Sequence, residues 1–211
     1  MCAAARSSPV MRAENTRQDR GSVSFRSTLL PSPHTRSDLL LAFDQQASES
    51  TAYWSAFDTE TFFRPIGTSW SPADTVRHLT KSTRPVVTAL KAPKLFLRFM
   101  FGKSGRDSVS YDELCDRYRA LLAAGGQAGR FAPSAHTESD AAAWRRSILS
   151  AYDGVHRELR DAIGRWPEKK LDQLQLPHPL LGSLTVREML FFTLYHQRHH
   201  IGVVERHLRE G

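Results

Sequence analysis

Apolar residues recur every three or four positions through four long stretches of this 211-residue chain. That spacing lines them up along one face of an α-helix, whereas a half-buried β-strand would need strict alternation of apolar and polar residues. The four stretches are residues 35–58, Ser71 to about Leu90, residues 138–165, and Thr185 to about Arg209. Four amphipathic helices in a chain of this length predict an all-α protein built on a four-helix bundle.

Two of these helices have clear signals at their N-termini. Ser71 is a good N-cap, Pro72 suits the first helical position, and Asp74 places a negative charge in the first turn, where the helix dipole favours it. At the last helix, Thr185 and Glu188 have the spacing of a capping box, in which each side chain accepts a hydrogen bond from the other residue's backbone. Both starts are therefore predicted to within about one residue.

The connections between the helices are less regular. Residues 110–123 predict a short accessory helix, and residues 171–183 an extended connection that can include a small hairpin. The apolar segment KLFLRFMF at residues 94–101 has two interpretations. It is either a buried lid over the bundle or a surface that binds an apolar ligand or a partner subunit.

Residues 1–33 are rich in Arg, Ser and Ala and show no sustained hydrophobic period, which predicts a disordered basic tail before a bundle domain at residues 34–211. Residues 1–36 contain six arginines and two acids, so four of the seven net positive charges lie there. The rest of the chain is only mildly basic. We therefore expect a solvated leader rather than a nucleic-acid interface.

Cysteine usage and hydropathy argue against a disulfide-rich protein and against a membrane-spanning or secreted protein. Cys2 and Cys115 lie far apart and form neither a disulfide framework nor a CxxC motif. The apolar runs fall short of the roughly 18 to 20 residues of a membrane span, and the N-terminal residues lack the apolar core of a secretory signal. These features favour a cytoplasmic protein without a membrane partner.

The chemistry-bearing residues of this chain are its nine histidines. His196 and His200 are four residues apart on the last helix, which places their rings on one face about 6 Å from each other. Two imidazoles so placed can bind one metal ion at about 2.0 to 2.1 Å each, but a firm site needs a third ligand from another helix. In a chain with nine histidines, such a pair on an exposed helix face is also common by chance.

His78 is the candidate for the third ligand. It lies beside the inward-facing stripe of the helix that begins at Ser71, and the face of the last helix that carries His196 and His200 is otherwise mostly apolar. Packing these two faces together would bring three neutral imidazoles around one divalent ion and leave coordination positions open. Open positions are typical of catalytic rather than structural metal sites.

The other histidines are assigned outside this group. His199 lies about 100° around the helix from His200 and is expected to face solvent or a partner. His207 lies about 10.5 Å beyond His200 along the helix axis and is expected at the rim or surface. His156 is either a fourth ligand or ligand-supporting group, or a core histidine. His136 and His178 lie in predicted loops and are given no role, and the sequence names no general base.

Two segments, GTSWSPADTVRHLTKS and HPLLGSLTVREMLFFTLYHQRHHIGVVERHL, resemble the second-helix and C-terminal signatures of the DinB/YfiT-like superfamily. They cover about residues 68–86 and 176–209. The resemblance implies an up-down-down-up four-helix bundle with a divalent metal ion held by His78, His196 and His200. It also implies kinship with metal-dependent transferases and isomerases that use low-molecular-weight thiols, in which the metal stabilises the thiolate.

The chain departs from that family where Arg-Gly-Gln often follows the last histidine, since here Ile201, Gly202 and Val203 follow it. Gly202 also stands where iron-dependent sulfoxide synthases carry an acid, which argues against that subfamily. We expect a zinc- or nickel-dependent enzyme, with iron as a further option, acting on a small molecule as a thiol S-transferase or hydrolase. The alternative is a non-catalytic bundle that binds a small apolar ligand or a partner subunit, and a homodimer is expected in either case.

Overall fold

A computed structural model describes residues 32–67, 69–127, 129–133 and 139–210 of the chain. The predicted tail lies outside the described residues except for its last two positions, and His136 lies outside them as well. Pro33 is buried, and the Ser32 hydroxyl donates a hydrogen bond of 3.1 Å to the Asp112 carboxylate. Contacts with the body of the protein therefore begin just before the boundary placed at residue 34, and a disordered tail stays a prediction.

The described chain is predominantly helical, as the apolar spacing predicts. In chain order its elements are α1 Arg36–Ser55, α2 Thr59–Phe63, α3 Pro72–Lys91, α4 Lys94–Phe101, α5 Tyr111–Ala123, a 3-10 turn Gly129–Phe131, α6 Ala141–Gly164, α7 Glu168–Gln173, β1 Gln175–His178, β2 Gly182–Thr185 and α8 Val186–Glu210. Helices α1, α3, α6 and α8 are the four long helices of the bundle. The all-α fold class is confirmed.

Helices α3 and α6 run in the same direction. Near their starts, the guanidinium of Arg77 lies 5.7 Å from the centroid of the Trp144 ring. Near their ends, the indole N–H of Trp166, just after α6, donates a hydrogen bond of 2.9 Å to the carbonyl of Leu90. Contacts that join start to start and end to end require two parallel helices.

Helix α1 runs opposite to α6 and parallel to α8. Arg160, late in α6, pairs with Asp44, early in α1, at 2.8 Å. At the other end, Arg145 donates to the carbonyl of Ser55 at 2.7 Å. The guanidinium of Arg187, at the start of α8, donates to the carbonyl of His34 just before α1 at 2.8 Å. The four long helices therefore have the expected up-down-down-up topology.

The predicted N-caps are confirmed. The Ser71 hydroxyl accepts a hydrogen bond of 3.1 Å from the amide of Asp74, and Pro72 occupies the first position of α3. At the start of α8, the Thr185 amide donates to the Glu188 carboxylate at 2.8 Å, and the Glu188 amide donates to the Thr185 hydroxyl at 3.0 Å. These caps fix where α3 and α8 begin, and hence the positions of the histidines along them.

Two predicted helix ends are corrected by local capping. Helix α1 ends at Ser55 rather than near residue 58, because the Asp58 side chain accepts a hydrogen bond of 2.9 Å from the Thr61 amide and so begins α2. Helix α6 begins at Ala141 rather than near residue 138, since Asp140 caps it by accepting a hydrogen bond of 2.8 Å from Ala143. In both cases an aspartate offers the backbone a competing start.

The connection at residues 171–183 is only partly extended, which corrects the prediction. Its first residues belong to α7, and only the remainder forms the antiparallel hairpin of β1 and β2. The hairpin turns at Pro179, Leu180 and Leu181 and re-enters through Gly182, whose φ of +73° suits a residue without a Cβ. The hairpin packs against α8, so it forms one wall beside the histidines.

Helix α4 contradicts the prediction of a buried lid. Leu97 is its one buried residue. Four large apolar side chains of α4 are exposed: Leu95, Phe96, Phe99 and Met100. Phe99 is 85% exposed. We call these four side chains the α4 patch. The lid interpretation is wrong, because α4 places Leu97 in the core and leaves these four side chains at the surface.

The core of the bundle is apolar and tightly filled. Leu39 on α1, Leu79 on α3, Leu159 on α6 and Leu190 on α8 are each fully buried. Burial of one such side chain contributes roughly 1.5 to 3 kcal/mol to folding. None of the helices among the described residues combines the length and the apolar character that a membrane span requires.

Candidate metal centre

Helices α3 and α8 bring His78, His196 and His200 together, as packing of their apolar faces predicts. The Nε2 atom of His196 lies 3.1 Å from Nε2 of His78 and 3.1 Å from Nε2 of His200. One ring nitrogen of each residue lies within 4.8 Å of those of the other two. His78 and His196 are buried and His200 is half-buried. We call these three residues the histidine triad.

The nitrogen spacing of the triad suits a shared metal ion. Two ligands that each lie about 2.1 Å from an ion and subtend 90 to 109° there are roughly 3.0 to 3.4 Å apart. The two separations about Nε2 of His196, 3.1 Å each, fall in that range. Three imidazole nitrogens leave at least one coordination position open in a tetrahedral site, so the donor set fits a divalent ion with room for a further ligand.

The hydrogen bond at Nδ1 of His78 determines which of its two ring nitrogens carries the proton. Nδ1 of His78 lies 2.9 Å from the carbonyl oxygen of Phe131, which can only accept, so Nδ1 carries the proton. The unprotonated Nε2 then points its lone pair at His196. A backbone carbonyl that holds the outer nitrogen of a histidine in this way is a common support for a metal ligand.

All three rings are kept neutral. Burial lowers the pKa of His78, and the hydrogen bond to Phe131 offsets only part of that effect. Burial also holds the pKa of His196 well below its ordinary value, and the neighbouring His200 and His78 lower it further. The pKa of His200 is likewise well below its ordinary value, because its half-buried ring is largely desolvated and His78 and His199 lie beside it. Neutral imidazoles are the form that binds metal ions.

Aromatic rings hold the triad in place. Trp70 stacks on His200 with ring centroids 6.0 Å apart and planes at 6°. Phe192 stacks on His196 at 4.9 Å. Next to His196, Gln197 accepts a hydrogen bond of 2.7 Å from the buried Tyr152 hydroxyl on α6, which fixes the rotation of α8 within the bundle.

Two cavities meet at the triad. The apolar cavity, about 210 Å³, is bounded by α3, α8 and the hairpin and is reached by His78 and His196. The open cavity, about 450 Å³, is lined by Trp70, His199 and all three residues of the triad. Among the described residues, no Asp, Glu, Lys or Arg lines either cavity. Small molecules can therefore approach the triad from two sides.

Of the remaining histidines, one lines the open cavity and two others lie outside the site. His199 was expected to face solvent or a partner but is half-buried, with its ring 5.2 Å from His200, so it lines the open cavity. His207 lies near the end of α8 with Nδ1 3.9 Å from the Glu210 carboxylate, which agrees with a rim position. His156 is a buried core histidine outside the triad, and its Nδ1 donates to the Tyr152 carbonyl at 2.8 Å.

His178 is a site residue that the sequence did not reveal. It ends β1, is 9% exposed and lines the apolar cavity. Its ring lies 4.2 Å from that of Phe192, which in turn stacks on His196. In the sequence, His178 precedes Pro179 and lies shortly before Gly182, a pattern that predicts a turn. No spacing along the sequence shows that a residue of this turn will pack near α3 or α8.

The comparison with protein families adds an independent result. The DinB superfamily profile matches residues 42–204, which include α3, most of α8 and the whole triad. The chain belongs to the DinB superfamily. The comparisons with curated proteins and with solved structures found no match. DinB membership and the triad together are compatible with a metal-binding enzyme.

The departure from the DinB signature after His200 has a structural consequence. Ile201 is fully buried in the core, and Gly202 and Val203 are half-buried. None of the three carries a polar side chain that could reach the triad. Outside the triad, the polar side chains that line the two cavities of this DinB protein include those of Tyr118, Gln127, His178 and His199.

Proposed function

We propose that this DinB protein is a metal-dependent enzyme whose divalent ion is held by His78, His196 and His200. The observation that carries the proposal is the convergence of three imidazole nitrogens from two helices, with separations of 3.1 Å about His196. Their neutral state, the outer hydrogen bond of His78 and the two adjoining cavities support it. Zinc and nickel suit three imidazoles best, and iron is the further option.

Two reactions suit a divalent ion held by three imidazoles. Its open position can hold a water molecule whose pKa falls to about 7, or a small thiol as its thiolate. The mainly apolar lining of the cavity beside His78 and His196 suits an apolar electrophile, so we propose S-transfer and keep hydrolysis as the alternative. In S-transfer the thiol loses its proton to solvent and its sulfur forms a bond to an electrophilic carbon. The electron pair of the bond broken at that carbon moves to the electrophile's own heteroatom, which takes a proton from solvent.

The chain's own residues have separable roles in this reaction. A divalent ion bound here would supply a Lewis acid that lowers the pKa of a thiol. The triad holds that ion, and Trp70 with Phe192 keeps the imidazoles in position. The open cavity admits the polar thiol, while the apolar cavity takes the electrophile and excludes water from it. A cytoplasmic location, where small thiols are abundant and the buried Cys115 stays reduced, belongs to the proposal.

Cobalt substitution tests the thiol step directly. Co²⁺ replaces Zn²⁺ in such sites and reports ligation of sulfur by a charge-transfer absorption band. We expect this band to appear when a small thiol such as 2-mercaptoethanol is added to Co²⁺-loaded wild-type protein, because an open position accepts the thiolate. The measurement is an optical titration at fixed Co²⁺.

The matched control for that titration is His207→Ala, which removes a histidine from the same helix outside the triad. It should give the wild-type spectrum, whereas His196→Ala should give none. A wild-type protein that binds Co²⁺ but shows no sulfur band at saturating thiol would contradict S-transfer and leave hydrolysis.

The exposed α4 patch favours a second function, the binding of a partner subunit. Four large apolar side chains on one short helix exceed the scattered exposure that is normal for a monomer. We propose that a second copy of the chain covers them in a homodimer. Analytical ultracentrifugation should show a dimer for the wild-type protein and a monomer for Phe99→Glu. A wild-type monomer at micromolar concentration would refute the homodimer.

A further inference from the structure

His178 combines three features that the proposed reaction does not use. It is buried, it belongs to the hairpin rather than to the helices that hold the triad, and it lines the apolar cavity. The hairpin turn fixes its ring, since Nδ1 accepts hydrogen bonds from the amides of Leu180 at 3.2 Å and Leu181 at 3.0 Å. Both partners are donors, so Nδ1 must be unprotonated.

The role of Nδ1 as an acceptor determines which nitrogen of the His178 ring carries the proton. A neutral imidazole carries one proton, and with Nδ1 occupied as an acceptor that proton is on Nε2. Among the described residues, no protein acceptor bonds to Nε2 of His178. His178 therefore carries a single N–H donor of fixed orientation on a ring that lines the apolar cavity.

The rest of the cavity defines the chemistry of its occupant. Its walls are mainly apolar, with Val86, Met189 and Phe192 among them, and no charged side chain of the described residues lines it. A charged ligand would lose its hydration without compensation there. A cavity of about 150 Å³ holds benzene, so the 210 Å³ here has room for an aromatic ring with a small substituent.

We infer that the apolar cavity binds a neutral, ring-sized substrate that carries one hydrogen-bond acceptor, such as a carbonyl oxygen, and that His178 Nε2–H donates to that acceptor. The inference names the electrophile and therefore rests on the proposed S-transfer. A donor aimed at a carbonyl oxygen would fix the orientation of the substrate and withdraw electron density from the reacting carbon. His178 would thus discriminate between substrates with and without an acceptor.

Two probes of nearly equal shape test the inference: acetophenone, which has a carbonyl oxygen, and ethylbenzene, which lacks one. The variant is His178→Asn, whose side-chain oxygen can replace Nδ1 as acceptor for the turn amides while the Nε2–H donor is lost. Dissociation constants are measured by NMR titration of the full chain, as purified and again with a chelator present. Circular dichroism confirms that each variant is folded.

We expect the ratio of the acetophenone to the ethylbenzene dissociation constant to rise about tenfold from wild type to His178→Asn, with and without chelator, because the buried carbonyl oxygen of acetophenone loses its hydrogen-bond donor. Using the ratio cancels the different hydration of the two probes. Ser82→Ala is the matched control and should leave the ratio unchanged, since the Ser82 hydroxyl already donates to the Leu79 carbonyl at 3.1 Å.

An unchanged ratio in folded His178→Asn would overturn the inference, and so would a shift seen only in Ser82→Ala. Neither result would count against metal binding by the triad, because the titrations with chelator measure probe binding in the absence of metal. Conversely, a tenfold shift in a protein that binds no metal would support the cavity assignment while the proposed reaction fails.

Discussion

Replacing His196 by alanine is expected to lower the affinity for Zn²⁺ or Ni²⁺ by more than about 100-fold. Loss of a residue that only supports a ligand already costs 10- to 100-fold, and His196 is the residue whose Nε2 lies 3.1 Å from both other ligands. Two histidines left on different helices seldom hold an ion firmly. The measurement is a competition titration against a chromogenic chelator, with protein made without a histidine tag.

The control for this prediction is His156→Ala, which also deletes a buried imidazole. His156 lies outside the triad and donates to the Tyr152 carbonyl at 2.8 Å. It should lower thermal stability but leave metal affinity within about twofold of the wild-type value. Equal metal affinity in wild type and His196→Ala would show that the metal binds elsewhere or not at all.

Removal of the Glu188 carboxylate is expected to destabilise the folded chain strongly. The Glu188 side chain is fully buried and accepts hydrogen bonds from Arg106 and from the amides of Val109 and Thr185 at 2.8 Å each. Glu188→Ala leaves both amides without this acceptor and uncaps α8, which should cost about 3 kcal/mol. For a chain of this size, that corresponds to a drop in Tm of roughly 6 to 12 °C, measured by calorimetry.

The surface pair of Glu113 and Arg117 provides the matched control. Both side chains are about half exposed, so Glu113→Gln should change the free energy of unfolding by less than about 0.5 kcal/mol. A Glu188→Ala variant that unfolds with the wild-type Tm would refute the assignment of Glu188 as the anchor of α8.

The Glu188 carboxylate should also make the free energy of unfolding depend on pH. Burial raises the pKa of Glu188, but the hydrogen bonds from Arg106 and from the Val109 and Thr185 amides outweigh it, so the net pKa lies below the ordinary value. A lowered pKa means that the contribution to stability is present above the unfolded pKa of about 4.3 and is lost as pH falls through the folded one. Glu188→Gln should therefore weaken the loss of stability below about pH 4, in denaturant titrations at several pH values.

The long helices could be predicted because local signals agree with tertiary burial. The apolar period of residues 72–91 and 186–210 marks the same faces that pack in the bundle. Ser71 and the Thr185–Glu188 pair mark their starts through hydrogen bonds between residues three positions apart. Since both helix and cap are local in sequence, their positions follow from residue type and spacing alone.

Sequence spacing alone predicts only part of the histidine triad. The spacing of His196 and His200 is local, so the pair could be recognised from one turn of helix. The partnership with His78 spans more than 100 residues and depends on the rotation of α3 against α8, which Gln197 and Tyr152 help to fix. The family resemblance supplied the expected ligand set, and the structure brings the three imidazoles together.

Other features depend on tertiary contacts that no spacing encodes. The exposure of Phe96 and Phe99 follows from where α4 meets the bundle, and an apolar segment alone does not tell a buried from an exposed helix. His178 enters the site because a hairpin folds back against α8, and His199 is half-buried because Tyr118 on α5 packs 6.1 Å from it. Each position is set by an irregular connection, where sequence patterns are weakest.

Metal-edge anomalous diffraction from crystals of the tagless, zinc- or nickel-loaded protein tests the central claim most directly. We expect one anomalous peak per chain, about 2.0 to 2.1 Å from Nε2 of each of His78, His196 and His200. A metal-loaded crystal with no peak at the triad, or with the peak at another group of side chains, would contradict it.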